Sequence, residues 1–236
     1  FCLYCVHMGA RKLSPLDAVC RDVASCRACP RLVEWREDIA REKRAMFRDD
    51  TYWGRGVPGF GDAQAQLLVL GLAPAAHGAN RTGRVFTGDK SGDWLYRAMH
   101  KAGFANQPSS QHVDDGLHLS NAWVTAAVKC APPANAPTPD ERVTCRPFLE
   151  REFAALDSAH VLVCLGAFAY QAATEFLHIR PRPKFGHGVE VQHGKWTLLC
   201  SFHPSQQNTF TGKLTEPMFD NVFERARQLC AIEVPE

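Results

Sequence analysis

The run Gln66-Leu67-Leu68-Val69-Leu70 leads into GLAPAAHGANRTGRVFTGDKSGD, residues 71–93, and then into a helix-like run over 94–104. The first run is continuously apolar, as expected of a strand buried on both faces. The connection after it holds five glycines and the cations Arg81, Arg84 and Lys90, with no carboxylate before Asp89. Connections this long are uncommon in compact domains unless they carry function. Glycines let backbone approach a ligand closely, and a helix N-terminus favours negative charge. The stretch predicts a strand, an anion-directed loop and a helix, which is the opening unit of an α/β fold.

The same alternation continues outward. Strands are expected over 67–72, 118–128, 160–165 and 196–202, and helices over 91–104, 138–157, 167–178 and 216–232. Thr138-Pro139-Asp140-Glu141 is a capping box with Pro in the first turn. Two helices precede the first strand. One is opened by Ser14-Pro15 and runs to Cys26. The other covers 34–48, and its dense charges of mixed sign read as a solvated face. Residues 49–61 read as loop. The pattern predicts an α/β fold of three layers, a four-stranded, mostly parallel sheet flanked by helices. A single domain is expected over 8–236, with N-terminal helices and loop over 8–61 and the α/β core over 62–236. Residues 1–7 read as an extension ahead of a start at Met8. In such sheets ligands bind beyond the carboxyl ends of the strands. Segments 71–93, 130–145 and 203–215 fall there, so they are expected to share one composite site.

The chain of 236 residues is 45% hydrophobic, enough for one sizeable core. A net charge of +2 makes any nucleic-acid surface a local patch. No apolar run approaches the ~20 residues of a membrane span, and the first residues lack the cationic start of a signal peptide. A cytoplasmic protein without membrane contact is expected. Ten cysteines are many for such a chain. Cys26 and Cys29 form a C-x-x-C pair, and with Cys130 and Cys145 they make a plausible four-thiolate site. Such sites suit zinc or an iron–sulphur cluster, and the wide 130/145 spacing is less zinc-like. Cys164, Cys200 and Cys230 read as buried thiols. Cys20 is unassigned, and Cys2 and Cys5 lie in the extension expected ahead of Met8.

Gly83 to Ser91 nearly matches a phosphate-binding P-loop, but Asp89 stands before the lysine. A carboxylate in a triphosphate cradle repels its ligand, so Asp89 is better read as opposing a developing cation or orienting a water. Its bland alternative is a helix cap. His203-Pro204-Ser205-Gln206-Gln207-Asn208, with Phe210, Lys213 and Leu214, is a polar loop carrying apolar residues. That composition suits a wedge into DNA, with polar groups for phosphates and an apolar tip to replace an extruded base.

These pieces together resemble the iron–sulphur uracil-DNA glycosylases, specifically the type-b (family 5) branch. The matching residues are Gly71-Leu72-Ala73-Pro74, then Arg81 to Asp89, Asn121 to Cys130 with Pro132-Pro133-Ala134-Asn135, His203-Pro204-Ser205, and the four cysteines. The resemblance covers about residues 26–232. It implies a cluster of the [4Fe–4S] type on Cys26, Cys29, Cys130 and Cys145. It also implies hydrolysis of the N-glycosidic bond of uracil, and of other deaminated bases such as hypoxanthine, in DNA by base flipping. By this resemblance Phe86 stacks on the base, Asn121 reads its edge and His203 hydrogen-bonds the leaving group. A strand-pairing role is the alternative for Asn121. Gly71, Leu72 and Ala73 would wall the base pocket. Related branches place an acid or amide where Leu72 stands, so the acid here is expected to be Asp89, assisted by Asn135. Arg81, Arg84, Ser205, Gln206, Asn208, Phe210 and Lys213 are expected at DNA, with Leu214 the first candidate wedge and Phe210 the second. The expected protein is a monomeric, monofunctional, nucleoid-associated enzyme. The alternative is a binding protein on the same scaffold without catalysis.

Overall fold

Leu67 to Gly71 are all buried and Leu67 to Leu70 have partners on both sides, so the opening apolar run is an inner strand. The computed structural model describes residues 13–231. Its sheet contains β1 (Phe60–Gly61), β2 (Leu67–Gly71), β3 (Ala122–Ala126), β4 (Val161–Leu165), β5 (Glu190–His193) and β6 (Trp196–Ser201), in the order β1-β3-β2-β4-β6-β5. The four inner strands are mutually parallel, whereas β1 and β5 pair antiparallel at the two edges. The expectation of four strands is therefore corrected to a mixed sheet of six among the described residues. The four expected strands are the inner ones. The edge strands gave no apolar signal: β1 is two residues of a glycine-rich loop, and β5 buries only Val191.

The helices are α1 (Pro15–Ser25), α2 (Pro30–Glu42), the short α3 (Ala79–Thr82), α4 (Lys90–Lys101), α5 (Pro139–Ala155), α6 (Ala167–Phe176), the short α7 (Gln206–Phe210) and α8 (Glu216–Leu229). Alternate strand residues face opposite layers, as a pleated strand requires. Leu67, Val69, Val161 and Val163 pack with Tyr96 and Met99 of α4 and Phe219 and Phe223 of α8. Leu68, Leu70, Leu162 and Cys164 pack with Leu149 and Phe153 of α5, Tyr170 of α6 and Leu16 of α1. Three layers result. Each fully buried Leu or Val contributes roughly 1.5–3 kcal/mol, so the inner strands anchor the loops that follow them.

The expected capping boxes are present at Ser14/Asp17 and Thr138/Glu141. Glu141 also holds Arg31 of α2 at 2.7 Å, which ties α2 to the start of α5. The second helix begins at Pro30 rather than residue 34 and ends at Glu42, followed by a single 3-10 turn. Its reading as a solvated face is corrected at Arg36, which is 1% exposed. β3 starts four residues later than expected, because Asn121 takes a left-handed turn (φ 54°) just before it. The reading of residues 1–7 and of Ile232 falls outside the described residues. No helix among the described residues is long and apolar enough to cross a membrane.

Candidate active site

The carboxyl ends of β2, β3 and β6 feed the three segments singled out in the sequence. β2 ends at Gly71, and the ring of Phe86 lies directly on it: a Cβ at residue 71 would stand 2.6 Å from Phe86 Cζ. Phe86 holds a left-handed backbone (φ 52°), which is uncommon for an aromatic residue. Such strain persists only where the surroundings over-determine it, and it clusters at functional sites. Two residues beyond β6, the ring of His203 lies 6.1 Å from that of Phe86, tilted by 33°. Loops from β2 and β6 thus present two aromatic faces to one half-buried place.

Asp89 is the N-cap of α4, and its Oδ1 accepts the Gly92 amide at 3.0 Å. The cap reading is correct, but it uses only part of the carboxylate. Oδ2 lies against Gly78, where a Cβ would overlap it. Burial raises the Asp89 pKa, opposed by the amides of Gly92 and Ser91, while Asp93 adds to the rise and Arg81 opposes it. Burial also lowers the His203 pKa to about 4. At neutral pH His203 is therefore a neutral imidazole, with one ring N–H to donate.

The loop around His203 is self-braced. Its carbonyl accepts Asn208 Nδ2 and the Ser205 amide, each at 2.8 Å. Ser205 Oγ caps α7. Ser205 and Asn208 therefore shape the turn, and Gln206 is exposed beside them. Phe210 stands 79% exposed. Lys213, also exposed, places Nζ 4.9 Å from the Phe202 ring. Leu214 is fully buried in the core with Phe219, so its reading as the first wedge candidate is corrected and Phe210 takes that place.

Two expected DNA contacts are corrected likewise. Arg84 is 4% exposed and donates to Thr87, Ser110, the Val113 carbonyl and Asp115. Arg81 donates to Asp50, the His77 carbonyl and the Gly88 carbonyl. Both cations are engaged in holding the loop together. Asn121 is corrected too. It lies at the amino end of β3, opposite the rim, where Oδ1 accepts the Gln66 amide and Nδ2 donates to Gln66 Oε1. Its strand-pairing alternative holds. Leu72 continues the pairing past β2, its carbonyl accepting the Val128 amide, and Ala73 packs beside Cys130 and Cys145. Asn135 sits exposed in the turn after β3 with a left-handed backbone (φ 55°).

The four cysteines come from α1, α2, β3 and α5. Cys26 ends α1, Cys29 precedes α2, Cys130 follows β3 and Cys145 lies within α5. Cys29, Cys130 and Cys145 share one small cluster with Leu32 and Val128. Burial pushes the Cys145 thiol up to about 12, and it also raises Cys29 and Cys130. The cysteines raise one another further, Cys130 and Cys26 acting on Cys29, and Cys130 and Cys29 on Cys145. Sequence reasoning missed the groups that face these sulphurs. Arg36 Nη1 donates to Cys130 Sγ at 2.9 Å, and the Lys129 amide donates to Cys145 Sγ at 3.2 Å. Lys129 is itself buried, its ammonium 2.6 Å from Glu152. The one available signal for Arg36 was its place four residues after Leu32, on the buried face of α2. Among the described residues, no three His, Cys, Asp or Glu side chains gather closely enough to hold a single metal ion.

A model of the uracil DNA glycosylase superfamily matches residues 58–227. A type-5 uracil-DNA glycosylase of Mycobacterium bovis is 52% identical over 95% of this chain and 84% of its own length. The chain belongs to the uracil-DNA glycosylase superfamily, in its type-5 branch. A type-5 uracil-DNA glycosylase of Thermus thermophilus is 46% identical over 92% of this chain and 99% of its own. A type-4 uracil-DNA glycosylase of Archaeoglobus fulgidus is 26% identical over 94% of this chain. The superfamily match begins just before β1 and takes in the whole rim, including Phe86, Asp89, Cys130, Cys145 and His203. Cys26 and Cys29 precede it, but the type-5 alignment spans 95% of the chain and so extends over α1 and α2.

Proposed function

We propose that this chain excises uracil from DNA, hydrolysing the N-glycosidic bond of a flipped nucleotide and leaving an abasic site. The observation that carries this reading is the convergence of Phe86 and His203 at the end of β2, with Asp89 on the same connecting loop. Phe86 offers its face to the extruded ring, and base–aromatic stacking is worth roughly 1–3 kcal/mol. As the bond breaks, negative charge gathers on the departing base and the sugar takes oxocarbenium character. Neutral His203 donates a hydrogen bond to the base, where a donor is most valuable. Asp89 supplies the carboxylate for the sugar cation or for the attacking water, and Asn135 assists from the neighbouring turn. Leu72 and Ala73 bring no polar group to the wall, which suits other deaminated bases such as hypoxanthine as well. Gln206, Phe210 and Lys213 face the duplex. The enzyme acts as a cytoplasmic monomer at the nucleoid. The test is release of free uracil from a labelled oligonucleotide, read as an alkali-labile abasic site. Intact substrate after prolonged incubation would refute the reading.

The cysteines fit an iron–sulphur cluster. Buried thiols at raised pKa become thiolates only beside cationic charge, which bound iron supplies. Zinc at ~2.3 Å from each sulphur needs all four sulphurs within about 4 Å of one another. A cluster puts each thiolate on a different iron and so accepts a wider set. Arg36 and the Lys129 amide already aim donors at two sulphurs, as outer partners of cluster ligands do. Cys26, Cys29, Cys130 and Cys145 would hold the cluster, which would cross-link α1 and α2 to the loop after β3 and to α5. Cys130→Ser should lose the visible absorption and the iron, whereas Cys164→Ser should keep both. A colourless wild type with stoichiometric zinc would overturn the cluster.

A further inference from the structure

Arg36 touches both the cysteine site and the loop that carries Asp89. Its Nη1 donates to Cys130 Sγ and its Nη2 to the Cys26 carbonyl, each at 2.9 Å. Its own carbonyl accepts Asn80 Nδ2 at 3.1 Å. Arg36 is 1% exposed and Asn80 fully buried. Asn80 belongs to α3, inside the long connection after β2, and its carbonyl accepts the Gly54 amide at 3.0 Å. The next residue, Arg81, donates to the Gly88 carbonyl at 3.2 Å, one residue before Asp89. A continuous set of buried and partly buried contacts therefore runs from two of the expected cluster ligands to the residue before Asp89.

The cost of this arrangement is visible. Asn80 Oδ1 and Arg36 Nε are buried with no hydrogen-bond partner among the described residues. An unsatisfied buried polar atom costs about 1–3 kcal/mol, and apolar side chains of similar size would avoid it. Packing alone does not account for an asparagine and an arginine here. The Arg36 side chain reaches Cys130 and the Cys26 carbonyl, and the Asn80 side chain reaches the main chain of Arg36.

We propose that Arg36 and Asn80 are positioning residues, through which the four-cysteine site fixes the 78–89 loop in the geometry that base excision requires. The proposal rests on the reading of the rim and of the cysteines given above. Misplacing a catalytic group by about 1 Å can cost about 100-fold in rate.

The test compares wild type, Asn80→Ala and Arg36→Lys on a labelled uracil-containing duplex, with hydrogen exchange followed by peptide. Asn80→Ala should keep the iron and the visible absorption and bind abasic duplex as wild type does. Its single-turnover excision should fall about 10- to 100-fold. Amides over 78–89 should exchange faster while those of β6 stay protected. Arg36→Lys retains a charge and the carbonyl that accepts Asn80 but not two arms; it should show an altered visible spectrum and a smaller rise in exchange over 78–89. Should Asn80→Ala not fold, wild type stripped of iron by a chelator carries the same comparison of 78–89 against β6. Wild-type rates and exchange in both variants would overturn the link. So would exchange that rises evenly along the chain, the mark of general destabilisation. A wild type with neither colour nor base release would instead remove the reading of the site on which the link rests.

Discussion

A methyl group on Gly71 would stand 2.6 Å from Cζ of Phe86, so the ring rests on the end of β2 only because residue 71 has no side chain. Gly71→Ala must therefore move Phe86, the strand end, or both. The strand is paired on both sides and gives less readily than a ring on a loop. With the ring displaced, stacking on the flipped base is lost, and excision should fall about 10-fold or more. Single-turnover rates and the affinity for uracil-containing duplex check this together. A Gly71→Ala enzyme with wild-type values would show that Phe86 does not contact the base.

Asp89 caps α4 and is proposed to serve the sugar, and one substitution separates the two roles. Asparagine caps helices about as well as aspartate, so Asp89→Asn should fold with nearly wild-type stability. It lacks the charge, so single-turnover excision should drop about 100-fold or more. In wild type the rate should also fall on acidification at a pH above the ordinary carboxylate range, because burial raises the Asp89 pKa. The residual rate of Asp89→Asn should lack that acidic limb. A pH–rate profile of both proteins decides it.

His203 has its pKa shifted in the opposite direction, and the consequence is for stability. Burial lowers its pKa to about 4 in the folded protein, against about 6.5 in an unfolded chain. Between those values the unfolded state binds more protons, so stability is lost as pH falls from about 6.5 to about 4 and levels off below. His203→Gln should remove that component. Urea unfolding of both proteins from pH 7 to pH 4 measures it, and parallel curves would place His203 in water rather than in a buried site. For the same reason His203 should contribute no step to the excision rate near pH 6.5.

The sequence carried the inner sheet because β2 and β4 are continuous apolar runs and β6 centres on Leu198-Leu199-Cys200, as buried parallel strands do. It did not carry β1 or β5, whose residues are few or mostly exposed. The same division holds at the site. Phe86, Asp89 and His203 stand in unusual surroundings that are visible in one dimension. The arginines do not: Arg81 and Arg84 look like phosphate contacts until their partners Asp50 and Asp115 are found 31 residues away in each case. Arg36 was hidden in a helix of mixed charge for the same reason. A cation's role depends on which carboxylate or sulphur folding brings to it, and local pattern holds no record of that.

Phe210 and Leu214 lie four residues apart and should behave oppositely. Leu214 is fully buried with Phe219 and Val222, so Leu214→Ala opens a cavity and should cost about 2–5 kcal/mol of stability. Its folded fraction should excise uracil at a normal rate. Phe210 is 79% exposed and packs against little of the fold, so Phe210→Ala should leave the melting temperature unchanged. As the wedge that takes the place of an extruded base, its loss should slow excision from duplex DNA, where the base must leave a stack. A single strand has no such stack to maintain, so excision there should be preserved. The duplex-to-single-strand rate ratio of each variant is the measurement. A Phe210→Ala enzyme with the wild-type ratio would remove the wedge from this loop altogether.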